Sequence, residues 1–499
     1  MSILLVPRAE RYAERTAIIA PEGGFTYRQL LDASGKVASF LLGGSEDLLG
    51  RPIAFMAPPG FQYVALQWGI WRAGGIAVPL SLFHPQPELE YVLDDTTPAA
   101  VVAHPDFCDR LSPLAQARNV RFASSNETLE HEAGPLPSVR PARRAMILYT
   151  SGTTGKPKGV VTTHENIAAQ ISSLVEAWGW TGADRILEVL PLHHIHGIVN
   201  VIACALWAGA VCEIFEAFEV RRVWDRIAQG GLTLFMAVPT IYVKLIDAWE
   251  KASPVEKDRM SQGCRAMRLM VSGSAALPVP VLEKWKEISG HILLERYGMT
   301  EIGMGISNSL HGKRFPGYVG TPLPGVAVML TDESGTPVSQ GTPGEIVAQG
   351  KTVFIEYWNR PDETKKAFRD GWFLTGDVAV QENGIFRILG RNSVDIIKTG
   401  GYKVSALEIE EVLLTHPDVK ECAVVGIPDP AWGERVVAAL VMREGKGLDP
   451  DMLRAWCKEQ LATYKVPKDA LQFQELPRNA MGKVSKPDLK KMVESRQIQ

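Results

Sequence analysis

The sequence predicts an α/β protein. It has a large N-terminal domain of two doubly wound α/β subdomains plus a small β-subdomain, followed by a smaller α+β C-terminal domain. Three observations predict it. Short apolar strands alternate with helical segments as far as residue 272, the pattern of a parallel sheet covered on both faces. After about Ser307 the turn signals crowd together, with Gly317, Gly320, Pro322, Pro324, Gly325, Gly335, Gly341 and Gly344 separating short β segments. A chain of 499 residues also exceeds what one core supports, and the expected division is 1–390 and 391–499.

The elements follow in order. Thr26 is a candidate N-cap for a helix within 25–48, with Leu30, Leu31, Val37 and Leu41 at helical spacing. Residues 53–57 form a strand, 61–74 a helix closed by a Gly-Gly pair, 77–80 a strand, 87–96 a helix and 99–103 a strand. The second unit predicts strands at 186–190, 211–214, 232–237 and 269–272, with helices at 197–207, 223–229 and 241–252 between them. Residues 327–330 and 345–348 are short β segments. Beyond a candidate hinge at 390–393, the C-terminal unit predicts a helix at 404–414, strands at 421–425 and 436–441, a helix at 451–461 and a lysine-rich tail.

Composition narrows the function. A hydrophobic content of 46% with 22% charge belongs to a globular chain. The net charge of −3, without a long basic run, gives nucleic acid no electrostatic hold. Six cysteines (108, 204, 212, 264, 422, 457) lie scattered without a Cys-x-x-Cys pair, which implies reduced thiols and no zinc site. The N-terminus lacks the regions of a signal peptide, and Glu10 and Glu14 interrupt its arginines, so a cytoplasmic setting is expected. The longest apolar stretch, 197–212, is broken by Asn200 and is short for a membrane span.

Residues 146–163 carry the densest chemistry. An apolar run ends at Tyr149, and another begins at Val160. Between them Gly152, Gly155 and Gly159 permit close backbone approach, Thr150, Ser151, Thr153 and Thr154 bring hydroxyls, and Lys156 and Lys158 bring charge. That chemistry suits a polyphosphate. It is not a P-loop, because Gly152 and Gly155 enclose only two residues and Pro157 follows Lys156. A ligand-free Gly/Ser/Thr hairpin is the alternative for this loop taken alone.

Further stretches share this character: Val-Ser-Gly-Ser-Ala-Ala-Leu at 271–277, Glu-Arg-Tyr-Gly-Met-Thr-Glu at 295–301, Thr-Gly-Asp at 375–377, Gly-Arg-Asn-Ser-Val-Asp-Ile-Ile-Lys-Thr-Gly-Gly-Tyr-Lys at 390–403, and Pro-Arg-Asn-Ala-Met-Gly-Lys-Val-Ser-Lys at 477–486. Together, in this order, they resemble the adenylate-forming superfamily of acyl-CoA synthetases, adenylation domains and firefly luciferase. The resemblance covers essentially the whole chain. It implies that a carboxylate and ATP give an acyl-adenylate and diphosphate, that a thiol then displaces AMP, and that a mobile C-terminal domain rotates between the two half-reactions.

By that resemblance, Thr150, Ser151, Gly152, Thr153, Thr154 and Lys158 hold the β- and γ-phosphates of ATP. Tyr297, Ser274 and Ala275 border adenine, while Asp377 and Arg391 take the ribose. Asp377 suits that role as an acceptor-only group. Thr300 touches the α-phosphate, and Glu301 holds Mg2+, a hard ion that wants carboxylate oxygen. Lys483 is the catalytic lysine, a flexible point charge able to bridge two anions as they meet. Gly400 and Gly401 leave room for the pantetheine arm of coenzyme A, the expected co-substrate.

The acid is indicated by two stretches. His193-His194-Ile195-His196-Gly197 resembles the segment beside the acyl pocket, with His194 the matched position, His196 a second choice and Met304 a further lining residue. A metal reading of these histidines lacks an accompanying carboxylate or cysteine at ligand spacing. Arg296 faces the acyl pocket by the same likeness. An arginine opposite an alkyl tail is an unpaired buried charge, whereas a second carboxylate pairs it. The combination resembles malonyl-CoA synthetases, so malonate is the expected acid, with methylmalonate second.

In the alternative, Arg296 turns to Glu295 or Glu301, and the pocket belongs to a medium-chain or aromatic acyl-CoA synthetase. A stand-alone adenylation enzyme loading a carrier protein and a luciferase-like oxygenase are the other active readings. An inactive relative fits poorly with Thr150, Glu301, Asp377, Arg391 and Lys483 all present. Arg268 is a candidate second cation for the pocket, and Ser393 or Val394 the candidate pivot of a hinge one residue longer than in most relatives.

Overall fold

A computed structural model describes residues 4–150, 157–399, 402–430, 432–478 and 484–497. Four sheets carry the described residues. The first has seven strands, ordered Glu356–Tyr357, Lys158–Thr163, Arg144–Thr150, Ile76–Pro79, Pro52–Met56, Ala100–Ala103 and Arg121–Ser124. The last five run parallel, and Lys158–Thr163 returns antiparallel to Arg144–Thr150. The Gly-rich loop is therefore the connection of an antiparallel hairpin whose last described pair is Thr150 with Lys158.

The second sheet has nine strands. Its parallel centre comprises Leu294–Met299, Leu269–Ser272, Leu234–Ala237, Arg185–Glu188, Val211–Ile214 and Thr16–Ala20. These strands read as continuous apolar runs because helices cover both faces. The two sheets share one core, in which Phe55, Trp68 and Trp71 join Phe235, Tyr242 and Trp285. Helix Phe61–Arg72 lies in that core with every residue but Gln62 and Arg72 buried, and Tyr63 donates to the Leu192 carbonyl at 2.6 Å. The two units are thus packed into one body.

A five-stranded antiparallel sheet follows, built on Val326–Thr331, Gly344–Gly350, Trp372–Glu382, Phe368–Arg369 and Ile385–Arg391. The C-terminal sheet also has five strands: Tyr402–Ser405, Ile396–Thr399, Gly433–Met442, Val419–Asp429 and Asp469–Gln472. Period-two alternation gives it two apolar faces. Val424, Val436, Ala438 and Leu440 pack against helices Ala406–Leu413 and Pro450–Gln460, while Val425, Val437 and Ala439 pack against Leu489 and Val493 of helix Lys486–Gln497.

Three elements differ from expectation. Residues 197–207 are not one α-helix: a π-helix spans His196–Ala203 and passes into an α-helix at Cys204–Ala208. Hydrophobicity signals a buried helix but not its winding, and π turns concentrate at functional sites. Residues 404–414 begin as strand Tyr402–Ser405, and the helix starts only at Ala406, where the Ser405 hydroxyl accepts the Glu408 N–H at 3.2 Å. The lysine-rich tail is a helix, Lys486–Gln497. At the candidate hinge, Gly390 and Arg391 complete strand Ile385–Arg391, and Asn392 donates to the Gly376 carbonyl at 2.9 Å. No helix among the described residues is long and apolar enough to cross a membrane.

Gly303 starts the strand after the turn at Thr300–Ile302 with φ +65°, and a Cβ there would lie 1.7 Å from Gln170 Oε1. That oxygen accepts the Met304 N–H at 2.6 Å. Gly303→Ala is expected to lower stability by more than about 1 kcal/mol, because it adds both a clash and a disfavoured φ. A reduced urea midpoint checks this; an unchanged midpoint contradicts it.

Candidate active site

Strand Leu294–Met299 is the element on which the site is built. Successive side chains leave a strand on opposite faces. Arg296 therefore points one way, and Glu295 and Tyr297 the other. Tyr297 is half-buried and its hydroxyl donates to Asp377 Oδ2 at 2.7 Å. Burial, reinforced by the Asp377 charge, holds its phenol pKa far above the ordinary value, so it stays a donor.

Asp377 and Arg391 face each other across the paired strands Trp372–Glu382 and Ile385–Arg391. Arg391 Nε donates to Asp377 Oδ1 at 2.9 Å. Burial opposes the charge on Arg391, but Asp377 outweighs it and leaves the guanidinium pKa raised. The expected ribose pair is therefore assembled, with Tyr297 attached to it.

Thr300 and Glu301 occupy the turn after this strand. Glu301 is buried, and Tyr357 Oη donates to its Oε1 at 3.0 Å. Burial raises the Glu301 carboxyl pKa, and the Tyr357 hydrogen bond and Arg391 only partly offset it. Such a group gains from a cation. Lys158 Nζ sits 5.0 Å from the centroid of the same Tyr357 ring and pairs with Glu363. Tyr357 thus joins the hairpin to the Glu301 turn, a role the sequence did not reveal. Its strand pairs with Lys158–Thr163 across some two hundred residues of chain, a contact without local signature.

Of the phosphate-loop residues, Thr150 and Lys158 are placed at the strand ends. Ser151, Gly152, Thr153 and Thr154 lie outside the described residues, as do Gly400, Gly401 and Lys483. Ser274 follows strand Leu269–Ser272 with φ +69°, and Ala275 beside it is exposed.

Arg296 points to the second half of the site. It is 3% exposed, and its Nη2 donates to Ser274 Oγ at 3.2 Å. Ser274 Oγ in turn lies 3.3 Å from His196 Nδ1. A Cβ on Gly273 would fall 2.5 Å from Arg296 Cζ, so only glycine lets the strand end lie on the guanidinium. Among the described residues no carboxylate comes within ion-pair distance of Arg296, so it is bound to neither Glu295 nor Glu301. Burial pulls its pKa below the ordinary value. His196 opens the π-helix, and His194 packs its ring 4.0 Å from that of His193. Burial lowers the His193 pKa to about 2, so that ring is neutral at physiological pH.

Met304 is 2% exposed and belongs to the shared core, its Cε close to where a Cβ on Gly298 would stand. Arg268 is corrected as the second cation. It donates to both oxygens of Asp184, at 2.7 and 2.8 Å, and to the Trp178 carbonyl, which commits it to an ion pair within the fold. Sequence reasoning also missed Glu188. It is fully buried, its carboxyl is pushed to about 8 by desolvation, and it accepts the Leu190 N–H at the head of the histidine segment.

A family model described as AMP-binding enzyme matches residues 5–358, and the AMP-binding enzyme C-terminal domain matches 408–483. The chain belongs to the AMP-binding enzyme family. The mitochondrial malonate–CoA ligase of Mus musculus is 46% identical to this AMP-binding enzyme over 99% of the chain and 91% of the relative. The crystal structure of ATP-bound MatB from Rhodopseudomonas palustris matches with a TM-score of 0.91 and 33% identity, covering 99% of each chain. The o-succinylbenzoate coenzyme A synthetase of Bacillus subtilis, in complex with ATP and magnesium ion, matches with a TM-score of 0.85 and 28% identity, over 98% of this chain and 99% of that one. The expected α/β architecture, a large N-terminal domain followed by a smaller C-terminal one, is the one these structures share. A cytoplasmic setting gains no support from the mouse relative's name.

In this AMP-binding enzyme Asp377 touches both Tyr297 and Arg391, so Asp377→Asn disturbs the pair expected at the ribose without reaching Arg296. It is expected to lower kcat/KM for ATP by about 10- to 100-fold, the loss of one charge-assisted contact. The KM for the acid should move little in steady-state kinetics. An effect confined to the acid would contradict the assignment.

Proposed function

We propose that the chain is an ATP-dependent malonate–CoA ligase acting through an acyl-adenylate. ATP and malonate give malonyl-adenylate and diphosphate, and coenzyme A displaces AMP to give malonyl-CoA. Methylmalonate, which keeps both carboxylates, is the second acid. The observation that carries the reading is the Arg296 guanidinium, buried beside Ser274 and His196 without a carboxylate partner among the described residues. An uncompensated buried charge costs several kcal/mol. An alkyl tail laid against it leaves that cost in place, whereas a second carboxylate removes it through charge-assisted hydrogen bonds.

The reacting carboxylate must then point from the Arg296 pocket towards the α-phosphate. The opposite-face placement of Arg296 and Tyr297 supports this, since it leaves one side of strand Leu294–Met299 for the distal carboxylate and the other for the nucleoside. One malonate oxygen attacks the α-phosphorus and diphosphate leaves. Lys483, from a C-terminal domain spanning 391–499, meets the two anions as they approach, and Thr300 borders the phosphate. In the second half-reaction the coenzyme A thiolate attacks the acyl carbon, AMP departs, and Gly400 and Gly401 leave room for the arm.

Magnesium fits the same site. Among the described residues no group of three or more His, Cys, Asp or Glu side chains forms a cage of its own. An ion held by one carboxylate plus substrate phosphates is the usual magnesium arrangement, and the buried Glu301 carboxyl is the group to supply that oxygen. When bound, the ion neutralises phosphate charge.

Initial rates of AMP formation with ATP, coenzyme A and a panel of acids test the reading. Malonate should exceed octanoate and butyrate, while a preference for octanoate overturns it. Arg296→Leu is expected to cut kcat/KM for malonate by about 100-fold or more and to narrow the gap to butyrate, since a buried charge-assisted contact is removed. Lys483→Ala should nearly abolish adenylation yet largely spare thiolation of supplied malonyl-adenylate. Equal loss in both half-reactions would remove Lys483 from the role.

A further inference from the structure

Lys486 is a lysine almost without contact with water. It is 9% exposed, at the first position of helix Lys486–Gln497, and its Nζ lies 2.6 Å from Asp395 Oδ1 and 2.7 Å from Glu410 Oε1. Burial alone would push its pKa down, but Glu410 and Asp395 outweigh it and hold the ammonium charged. The two carboxylates are tied in turn. Glu410 Oε1 accepts the Val424 N–H at 2.7 Å, which anchors it to the C-terminal sheet. Asp395 Oδ2 accepts the backbone N–H of Arg391 at 3.0 Å, and the Asp395 N–H donates to the Arg391 carbonyl at 2.7 Å.

This cluster lies between two parts of the proposed machinery. On one side is the Arg391–Asp395 turn at the candidate hinge, whose arginine side chain holds Asp377. On the other is the segment that leads directly from Lys483 into the last helix. Val484 bridges Arg478, the Ser485 N–H donates to the Pro477 carbonyl at 2.8 Å, and Ser485 Oγ donates to Asp488 Oδ2 at 2.6 Å. These local bonds shape the segment. The Lys486 ammonium joins it to the hinge turn through Asp395.

We propose that Lys486, held between Asp395 and Glu410, is a positioning residue for the adenylation half-reaction, tying the segment that follows Lys483 to the hinge turn. A stability role alone would not need a lysine: an apolar side chain of similar volume, with neutral partners, packs as well or better than a buried ion cluster. The ion cluster instead supplies directional bonds that reach two backbone positions, Arg391 in the hinge turn and Val424 in the C-terminal sheet. The inference rests on the reading of Lys483 as the adenylation lysine.

Half-reaction kinetics on the full chain test it. Malonate-dependent exchange of diphosphate into ATP, without coenzyme A, reads adenylation; malonyl-CoA formation from supplied malonyl-adenylate reads thiolation. Lys486→Met should lower adenylation about 100-fold, the scale of an ångström-sized misplacement, and leave thiolation nearly unchanged. Lys486→Arg should recover much of the loss. In a Lys483→Ala background, Lys486→Met should cost nothing further, because the two residues then act as one unit. Equal loss in both half-reactions, or a full additional loss on top of Lys483→Ala, overturns the inference while leaving the reading of Lys483 intact. Adenylation that survives Lys483→Ala overturns that reading, and the inference with it. Should Lys486→Met fail to fold, Glu410→Gln and Asp395→Asn, which keep the shape and weaken the tie, are read by the same two rates and the same criteria.

Discussion

A charged guanidinium at the end of a parallel sheet, with an apolar core behind it, is the constraint on which the proposed acid pocket depends. Arg296 lies on the last parallel strand of the nine-stranded sheet, two residues beyond the buried Leu294, whose row continues through Val271 to Met236. In such surroundings a cation must be hydrogen-bonded, and it favours an anion. The fold meets the first need through Ser274, held at positive φ, and through Gly273, whose missing side chain lets the backbone lie on the guanidinium plane. The second need defines the ligand. A site of this kind rejects an acid with one carboxylate more effectively than it could by shape, because a buried group built to pair is left unpaired.

The proposed nucleotide side depends on the same strand through its other face. Tyr297 binds Asp377, Asp377 binds Arg391, and the backbone of Arg391 binds Asp395, which meets Lys486. A continuous line of hydrogen bonds thus runs from Tyr297 to helix Lys486–Gln497. Each link is polar and at least partly withdrawn from water, so no single member can be lost without leaving its neighbour's charge or donor exposed to an apolar setting. Arg391 holds Asp377 by its side chain and Asp395 by its backbone. The proposed ribose contact and the candidate hinge are therefore joined through neighbouring atoms of one residue.

Much of this was legible in the sequence, for reasons that differ by element. Alternating strands and helices located the parallel sheets because a buried strand is apolar throughout and a covering helix repeats every three to four residues. Glu-Arg-Tyr-Gly-Met-Thr-Glu placed Arg296, Tyr297 and Glu301 together because they lie on one strand and its turn. What escaped was non-local or depended on winding. Tyr357 meets Glu301 only after its two-residue strand pairs with Lys158–Thr163. The π turn at His196–Ala203 has the composition of any buried helix. Arg268 looked available because its partner Asp184 lies more than eighty residues earlier in the chain. Lys486 ends the Pro-Arg-Asn-Ala-Met-Gly-Lys-Val-Ser-Lys stretch and opens the lysine-rich tail, and nothing local marks its partners Asp395 and Glu410, which lie far earlier in the chain.

The central claim is that Arg296 binds the distal carboxylate of the acid. A crystal structure of the chain with a non-hydrolysable malonyl-adenylate analogue measures this most directly. The account predicts that carboxylate within about 3.2 Å of the Arg296 guanidinium nitrogens, in hydrogen-bond geometry, with Ser274 or His196 as a further donor. A distal carboxylate turned towards solvent, with Arg296 still bonded only to Ser274, would contradict it.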